Sequence, residues 1–317
     1  MRKFIIDTDV GGDDAAALVM ALREPDIEIL GITTLGGNVP IENTTLNALQ
    51  VVEECGREVP VYMGCNKPLM RELVTADNVH GKDGMGDCGL IHSTRKPGKL
   101  HAVEFILETV AAYPDEVEIV SLGPASNIAL AIMKDRDTMK KVKHIWSMAT
   151  SGFGAGNITP VAEFNVFVDA ESYAIMLNSG IPMTIAGFDL CLGDAALTPD
   201  ELDGLLHTPL GRFIAEGNRV KLAFNEKLTG TPFVDLPDAV AMATVFHPDV
   251  VTESITANCY CCTQESPAYG QVIIYDISKP FSVKYDIPET STTVIKSISP
   301  DLFKKYLYTA LEDELYM

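Results

Sequence analysis

The chain is short of positive charge. Its 317 residues carry 24 Lys and Arg against 44 Asp and Glu, a formal net charge of −20. A field of that sign repels a nucleic-acid backbone and an anionic membrane surface, so both are excluded as partners, and a small neutral or cationic one is favoured. No apolar run reaches the roughly 18 residues that a membrane span requires, and no basic stretch followed by an apolar one marks a secretory leader. The expected location is therefore the cytoplasm. A disulfide framework is also missing, because the seven cysteines are odd in number and scattered. Cys259, Cys261 and Cys262 stand close together, but no second cluster at zinc-finger spacing accompanies them and the run reads as strand, so buried structural thiols are expected. Linkers rich in Pro, Gly or Ser, low-complexity tracts and internal repeats are absent too. That leaves residues 1–317 as one domain.

What is present is apolar material in a regular rhythm. At 47% hydrophobic residues the chain can bury a large core. Strands are expected at 3–7, 27–35, 60–64, 116–122, 144–148 and 181–187, and helices at 14–22, 41–55, 101–113, 125–134 and 170–178. Apolar strands separated by helices imply an α/β fold with an open, mostly parallel sheet and helices on both faces. The later part is less regular, with helices at 199–207, 210–226, 238–245 and 300–313 and strands near 269–275 and 281–285.

In such a sheet, ligands bind beyond the carboxyl ends of the strands. The loop after the first strand is DTDVGGDD, which holds Asp7, Asp9, Asp13 and Asp14 with no Lys or Arg among them. Helix capping by Asp13 and a first-turn Asp14 would explain one or two of these carboxylates. Four would repel one another unless protonated, dispersed into solvent or neutralised by a cation. Gly11 and Gly12 are expected to turn the backbone tightly enough for Asp9 to face the helix start. Such an oxygen-rich pocket suits Ca²⁺ or Mg²⁺, and Ca²⁺ tolerates the more irregular coordination. Asn38 ends TTLGGN after the second strand, and Leu122 precedes GPASN. In ATSGFGAGNITPVAEFN, residues Asn157, Glu163 and Asn165 supply two amides and a carboxylate, equipment for holding sugar hydroxyls. Asp238 starts a helix as PDAVAMA. Taken singly, each of these also reads as a turn, a cap or a solvated loop.

Taken together, DTDVGGDD, TTLGGN, VHGKDGMG, LGPASNIA, GN followed by VAEFN, and the late Asp238 resemble the Ca²⁺-dependent nucleoside hydrolases of the inosine–uridine-preferring family. The resemblance covers most of the chain. It implies a Ca²⁺ held by the side chains of Asp9, Asp14 and Asp238 and the backbone carbonyl of Leu122, with a water and the ribose 2′- and 3′-hydroxyls completing the coordination. Asp13 and Asn165 would hold those hydroxyls, Asn157 and Glu163 the 3′/5′ side of the sugar, and Asn38 the water or the ribose; Asp7 would stand behind the ligands. The implied reaction is hydrolysis of the N-glycosidic bond of a ribonucleoside to ribose and free base, by a Ca²⁺-bound water that gives its proton to Asp9. A homodimer or homotetramer is implied as well.

The departures fall on the leaving-group side. Many members carry a His before the last metal aspartate, where this chain has Pro237, and another in the loop here reading DLCLGD, with Cys191 and Leu192. His80, in VHGKDG, is expected near the base or the loop that closes over it. Phe224, Asn225 and Glu226 are further candidates there, although Asn225 and Glu226 read equally well as solvated. Trp146, the single Trp, lies in a strand expected to be buried and offers no stacking platform. His247, before Pro248, reads as a helix C-terminal cap. Two other functions stay open on this evidence. One is a non-catalytic Ca²⁺-dependent ribose- or nucleoside-binding homologue. The other is a phosphatase with an aspartyl nucleophile and Mg²⁺, which needs phosphate-binding Lys and Ser or Thr where this chain offers Asn, Glu and Asn.

Overall fold

A computed structural model describes residues 1–276, 278–279 and 289–312. Nine strands form one sheet: β1 (Arg2–Thr8), β2 (Ile27–Thr34), β3 (Val61–Met63), β4 (Val117–Ser121), β5 (His144–Met148), β6 (Met183–Ala186), β7 (Val251–Cys261), β8 (Val272–Asp276) and β9 (Thr292–Ile298). Their order is β3-β2-β1-β4-β5-β6-β9-β7-β8. Every pairing from β3 to β9 is parallel, and β7 runs antiparallel to both β9 and β8. The fold is the expected α/β class with a mostly parallel sheet.

Side chains alternate across a strand, so a sheet covered on both faces needs apolar residues at consecutive positions. β1 shows this directly. Phe4 and Ile6 belong to the core on one face, built with the helices Gly12–Arg23 and Pro237–Phe246, while Ile5 belongs to the other, built with Ala102–Ala112, Ser126–Lys134 and Ala170–Leu177. The helix Gly12–Arg23 is buried continuously from Gly12 to Leu22, which fixes its acidic N-terminus at the middle of the sheet edge.

Four expectations need correction or limits. The helix expected over 210–226 is two helices, Pro209–Gly217 and Arg219–Thr229, broken at Asn218. The Asn218 Nδ2 donates to the carbonyls of Gly12 at 3.0 Å and Ile214 at 2.9 Å, which ties the break to the start of the helix Gly12–Arg23. β9 had no counterpart in the sequence reading, since its sequence TTVIKSI interrupts Val294 and Ile295 with polar residues on both sides. The strand near 281–285 lies outside the described residues. Finally, Trp146 is on β5 but only half-buried, its Nε1 donating to Glu118 Oε2 at 2.9 Å. All seven cysteines are free, with Cys259 and Cys261 buried and Cys262 half-buried. Among the described residues no helix is long and apolar enough to cross a membrane.

Candidate active site

Strand order reverses on either side of β1 and β4, and the crevice beyond that reversal is where a doubly wound sheet binds its ligand. Asp9 directly follows β1, and Leu122 directly follows β4. A cavity of about 360 Å³ opens above them, lined among others by Asp13, Asn38, His80, Leu122, Asn157, Glu163, Asn165 and Asp238. That volume is in the range of small-molecule sites.

Asp9 is fully buried, and its Oδ2 accepts the Asn38 backbone N–H at 2.7 Å. The loops on both sides must be glycine for it to fit. A Cβ on Gly37 would stand 2.0 Å from Asp9 Oδ2, and one on Gly123 would stand 2.5 Å from Oδ1. Asp13 and Asp14 occupy the first turn of Gly12–Arg23, whose N-cap is Gly11 rather than Asp13. Gly11 does not make an unusual turn, its φ being −104°; a Cβ there would meet His80 Nδ1 at 2.6 Å, so its role is clearance for that ring. Asp14 is held from three sides, its Oδ1 accepting from Thr8 Oγ1 at 2.5 Å and its Oδ2 from Gly11 N at 2.9 Å and Asn38 Nδ2 at 3.1 Å. Asp238 enters from the first turn of Pro237–Phe246. Asp7 stays behind this group, accepting from Thr33 Oγ1 at 2.5 Å and Asn127 Nδ2 at 2.8 Å.

Oxygens of Asp13, Asp14 and Asp238 lie within 4.8 Å of one another, with Asp9 beside them. Asp9 Oδ1, Asp13 Oδ1 and Asp238 Oδ1 are buried without a hydrogen-bond partner. Burial, and after it the charges of the neighbouring aspartates, push Asp9 and Asp238 well above the carboxylate range and Asp14 up to about 7. Carboxylates left unpaired and hard to ionise are what a hard divalent cation satisfies, so the residues fit a metal site.

Asp13 goes the other way. Burial would raise it, but Lys221 and His80 hold it below its ordinary value. Lys221 Nζ is 2.9 Å from Asp13 Oδ2, and His80 Nδ1 is 3.6 Å from Asp13 Oδ1. Burial pushes His80 down to about 4, leaving it neutral at pH 7, so Lys221 is the cation that acts. Lys221 was missed in the sequence. The signal for it was helical spacing, since Lys221, Phe224, Asn225 and Leu228 all line the cavity from one face of Arg219–Thr229. Asn225 is buried and donates to Asp235 Oδ1 at 2.7 Å and the Phe233 carbonyl at 3.0 Å, which overturns its solvated reading; Glu226 is exposed.

The opposite wall comes from the loop after β5. Asn165 Nδ2 donates to the Leu122 carbonyl at 2.6 Å. Glu163 caps the short helix Phe164–Val168, accepting from Asn165 N at 3.0 Å, and burial raises its carboxyl to about 7. Asn157 is exposed at the rim, its Oδ1 accepting from Phe164 N at 2.9 Å. Pro237 and Leu192 line the cavity where histidines were expected, while His247 caps its helix and stacks on Tyr306.

The family profile described as inosine-uridine preferring nucleoside hydrolase matches residues 4–305. The chain belongs to that family. Pyrimidine-specific ribonucleoside hydrolase RihB of Escherichia coli is 33% identical over 295 residues, covering 90% of this chain and 92% of RihB. A plant nucleoside hydrolase of known structure superposes with a TM-score of 0.92 at 28% identity, covering 99% of both chains. A purine-preferring ribonucleoside hydrolase from Gardnerella vaginalis superposes with a TM-score of 0.88 at 29% identity over 98% of both. As a nucleoside hydrolase the protein is an N-glycosidase acting on ribonucleosides, which sets aside the binding-only and phosphatase readings.

Proposed function

We propose that the ribose sits over the carboxylate cluster with a Ca²⁺ beneath it, and that water attacks C1′ with inversion. The observation that carries this reading is the set of buried, unpartnered oxygens on Asp13 and Asp238, which line the cavity, and on Asp9 beside them. Asp9, Asp14, Asp238 and the Leu122 carbonyl would hold the ion. When bound, the ion would fix both ribose hydroxyls and make a nearby water more acidic. The water proton passes to Asp9 as its oxygen bonds to C1′, and the C1′–N bond breaks with its electron pair going to the base. Positive charge then develops on the ribose, where the oxygens of Asp13, Glu163 and Asn165 face it. Asp13 and Asn165 hold the 2′- and 3′-hydroxyls, Asn157 and Glu163 the 3′/5′ side, and Asn38 fixes Asp9 and Asp14. His80 stands at the base end against Asp13. The same reading makes residues 1–317 one domain, working in the cytoplasm as a homodimer or homotetramer, an assembly that sedimentation would check. The continuous sheet supports the single domain and the free thiols the location.

The test is ribose release from uridine, inosine, nicotinamide riboside and their 2′-deoxy counterparts, with and without a chelator. Ribose should be released from uridine or inosine, chelation should stop turnover and Ca²⁺ should restore it. The 2′-deoxy substrates should be slower by about 100-fold or more, since a lost hydroxyl leaves buried partners unpaired. Release that survives removal of all divalent metal would defeat the Ca²⁺ assignment.

A further inference from the structure

The departing base needs help, and the histidines expected for that purpose are replaced by Pro237 and Leu192. With the ribose at the carboxylate cluster, the base extends into the rest of the cavity, whose far walls include Phe188, Phe224, Leu228 and Phe233. Lys221 stands where these two regions meet. It touches Asp13 on the ribose side and lies one helical turn from Phe224 and Asn225 on the other. It is 3% exposed. An ammonium has three protons to give. One goes to Asp13 Oδ2 at 2.9 Å and one to the Asp235 carbonyl at 3.2 Å. Asp235 Oδ2, at 3.7 Å, is beyond hydrogen-bond distance, so among the described residues the third proton has no acceptor.

We propose that Lys221 is the leaving-group residue: its third N–H holds the acceptor next to the glycosidic nitrogen, O2 of a pyrimidine or N3 of a purine, and stabilises the negative charge that arrives there. The C1′–N electron pair moves onto the base, which departs as an anion paired with Lys221 and later takes a proton from solvent. No proton has to leave Lys221, so the missing histidines are not needed. The same charge disfavours a cationic pyridinium base, which also lacks that acceptor. Asp235 is a positioning residue, and Asn225 fixes its carboxylate.

This rests on the riboside reading of the cavity, and failure of the wild-type protein to release ribose from any riboside would defeat that reading rather than this one. If release occurs, inosine is compared with 3-deazainosine, and uridine with p-nitrophenyl riboside, in wild type, K221M and K221R. Removing the N3 acceptor should cost wild type about 100-fold in kcat/KM, the size of a lost preorganised donor, and should cost K221M almost nothing. K221M should lose about 100-fold more on uridine than on p-nitrophenyl riboside, whose leaving group needs no assistance, the loss common to both substrates reporting the Asp13 that Lys221 also braces, and K221R should recover part of the uridine rate. Equal losses on uridine and p-nitrophenyl riboside would mean that Lys221 only braces Asp13, and the inference would fail. The wild-type comparison of inosine with 3-deazainosine needs no variant to fold, and equal rates there would overturn the proposal by themselves.

Discussion

Asp9 is held tightly for a loop carboxylate, wedged between two glycines with one oxygen fixed by Asn38 and the other unpartnered. Asp9→Asn keeps the shape that fits between Gly37 and Gly123. Its amide oxygen must accept the Asn38 N–H, which turns the NH₂ toward the water and removes the base. The expected result is a kcat lower by about 100- to 10,000-fold, with riboside affinity by calorimetry falling by a smaller factor. A kcat within tenfold of wild type would remove Asp9 from that role. Asp9, Asp13 and Asp14 were legible because they crowd into one short loop, where repulsion itself demands an explanation. Lys221 was not, because the Asp13 that holds it lies far back along the chain and a single Lys on an amphipathic helix reads as solvated. The pairing exists only once the fold brings the two first turns of Gly12–Arg23 and Arg219–Thr229 together.

The break at Asn218 is what turns that Lys inward. Apolar periodicity continues through 210–226 without a proline, so the sequence reads as one helix, and the stop comes from a side chain bonding two carbonyls rather than from a backbone preference. Asn218→Ala would strip a bond from the Gly12 carbonyl, at the start of the helix that carries Asp13 and Asp14. About 1–2 kcal/mol of stability should be lost, the cost of a buried hydrogen-bonded group. If the break sets the angle of Arg219–Thr229, KM for a riboside should also rise several-fold while kcat changes less, because Phe224 and Asn225 move with the helix. Denaturant unfolding and steady-state kinetics measure the two effects. A stability loss with unchanged KM would assign Asn218 to the scaffold alone. The strands, by contrast, were mostly legible, since burial on two faces forces apolar residues at every position and leaves little ambiguity. The antiparallel end of the sheet was harder, for β9 lies inside it between β6 and β7 yet mixes polar and apolar residues, which breaks the continuous apolar run.

The whole molecule carries the consequence of burying acid in an acidic protein. A carboxyl that ionises less readily when folded binds more protons in the native than in the unfolded chain, so stability falls as pH rises through the interval between its two values. For Asp14 that interval runs from 3.8 to about 7, and Asp9 and Asp238 act in the same direction. Asp7 and Glu163, both raised to about 7 by burial, add a part that no cation at the cluster would remove. Glu118 works oppositely. Burial would raise it, but Arg2, Trp146 and Lys143 hold it down to about 2, so its contribution is present above 4.5 and is lost as pH falls toward 2. The metal-free protein should therefore be most stable at about pH 4. Above that the five raised carboxyls outweigh buried His80, which burial lowers to about 4 and which acts oppositely up to 6.5, so that roughly 3–6 °C in Tm is lost between pH 5 and 8. A cation that binds only the folded, ionised cluster stabilises by mass action, and does so more strongly as the carboxylates give up their protons. Thermal unfolding from pH 5 to 8, with a chelator and with millimolar Ca²⁺, should give curves that meet at the acid end and separate steadily toward pH 8. Curves that stay parallel across that range would place the bound cation away from these aspartates, because only carboxylates that titrate there can make its affinity depend on pH.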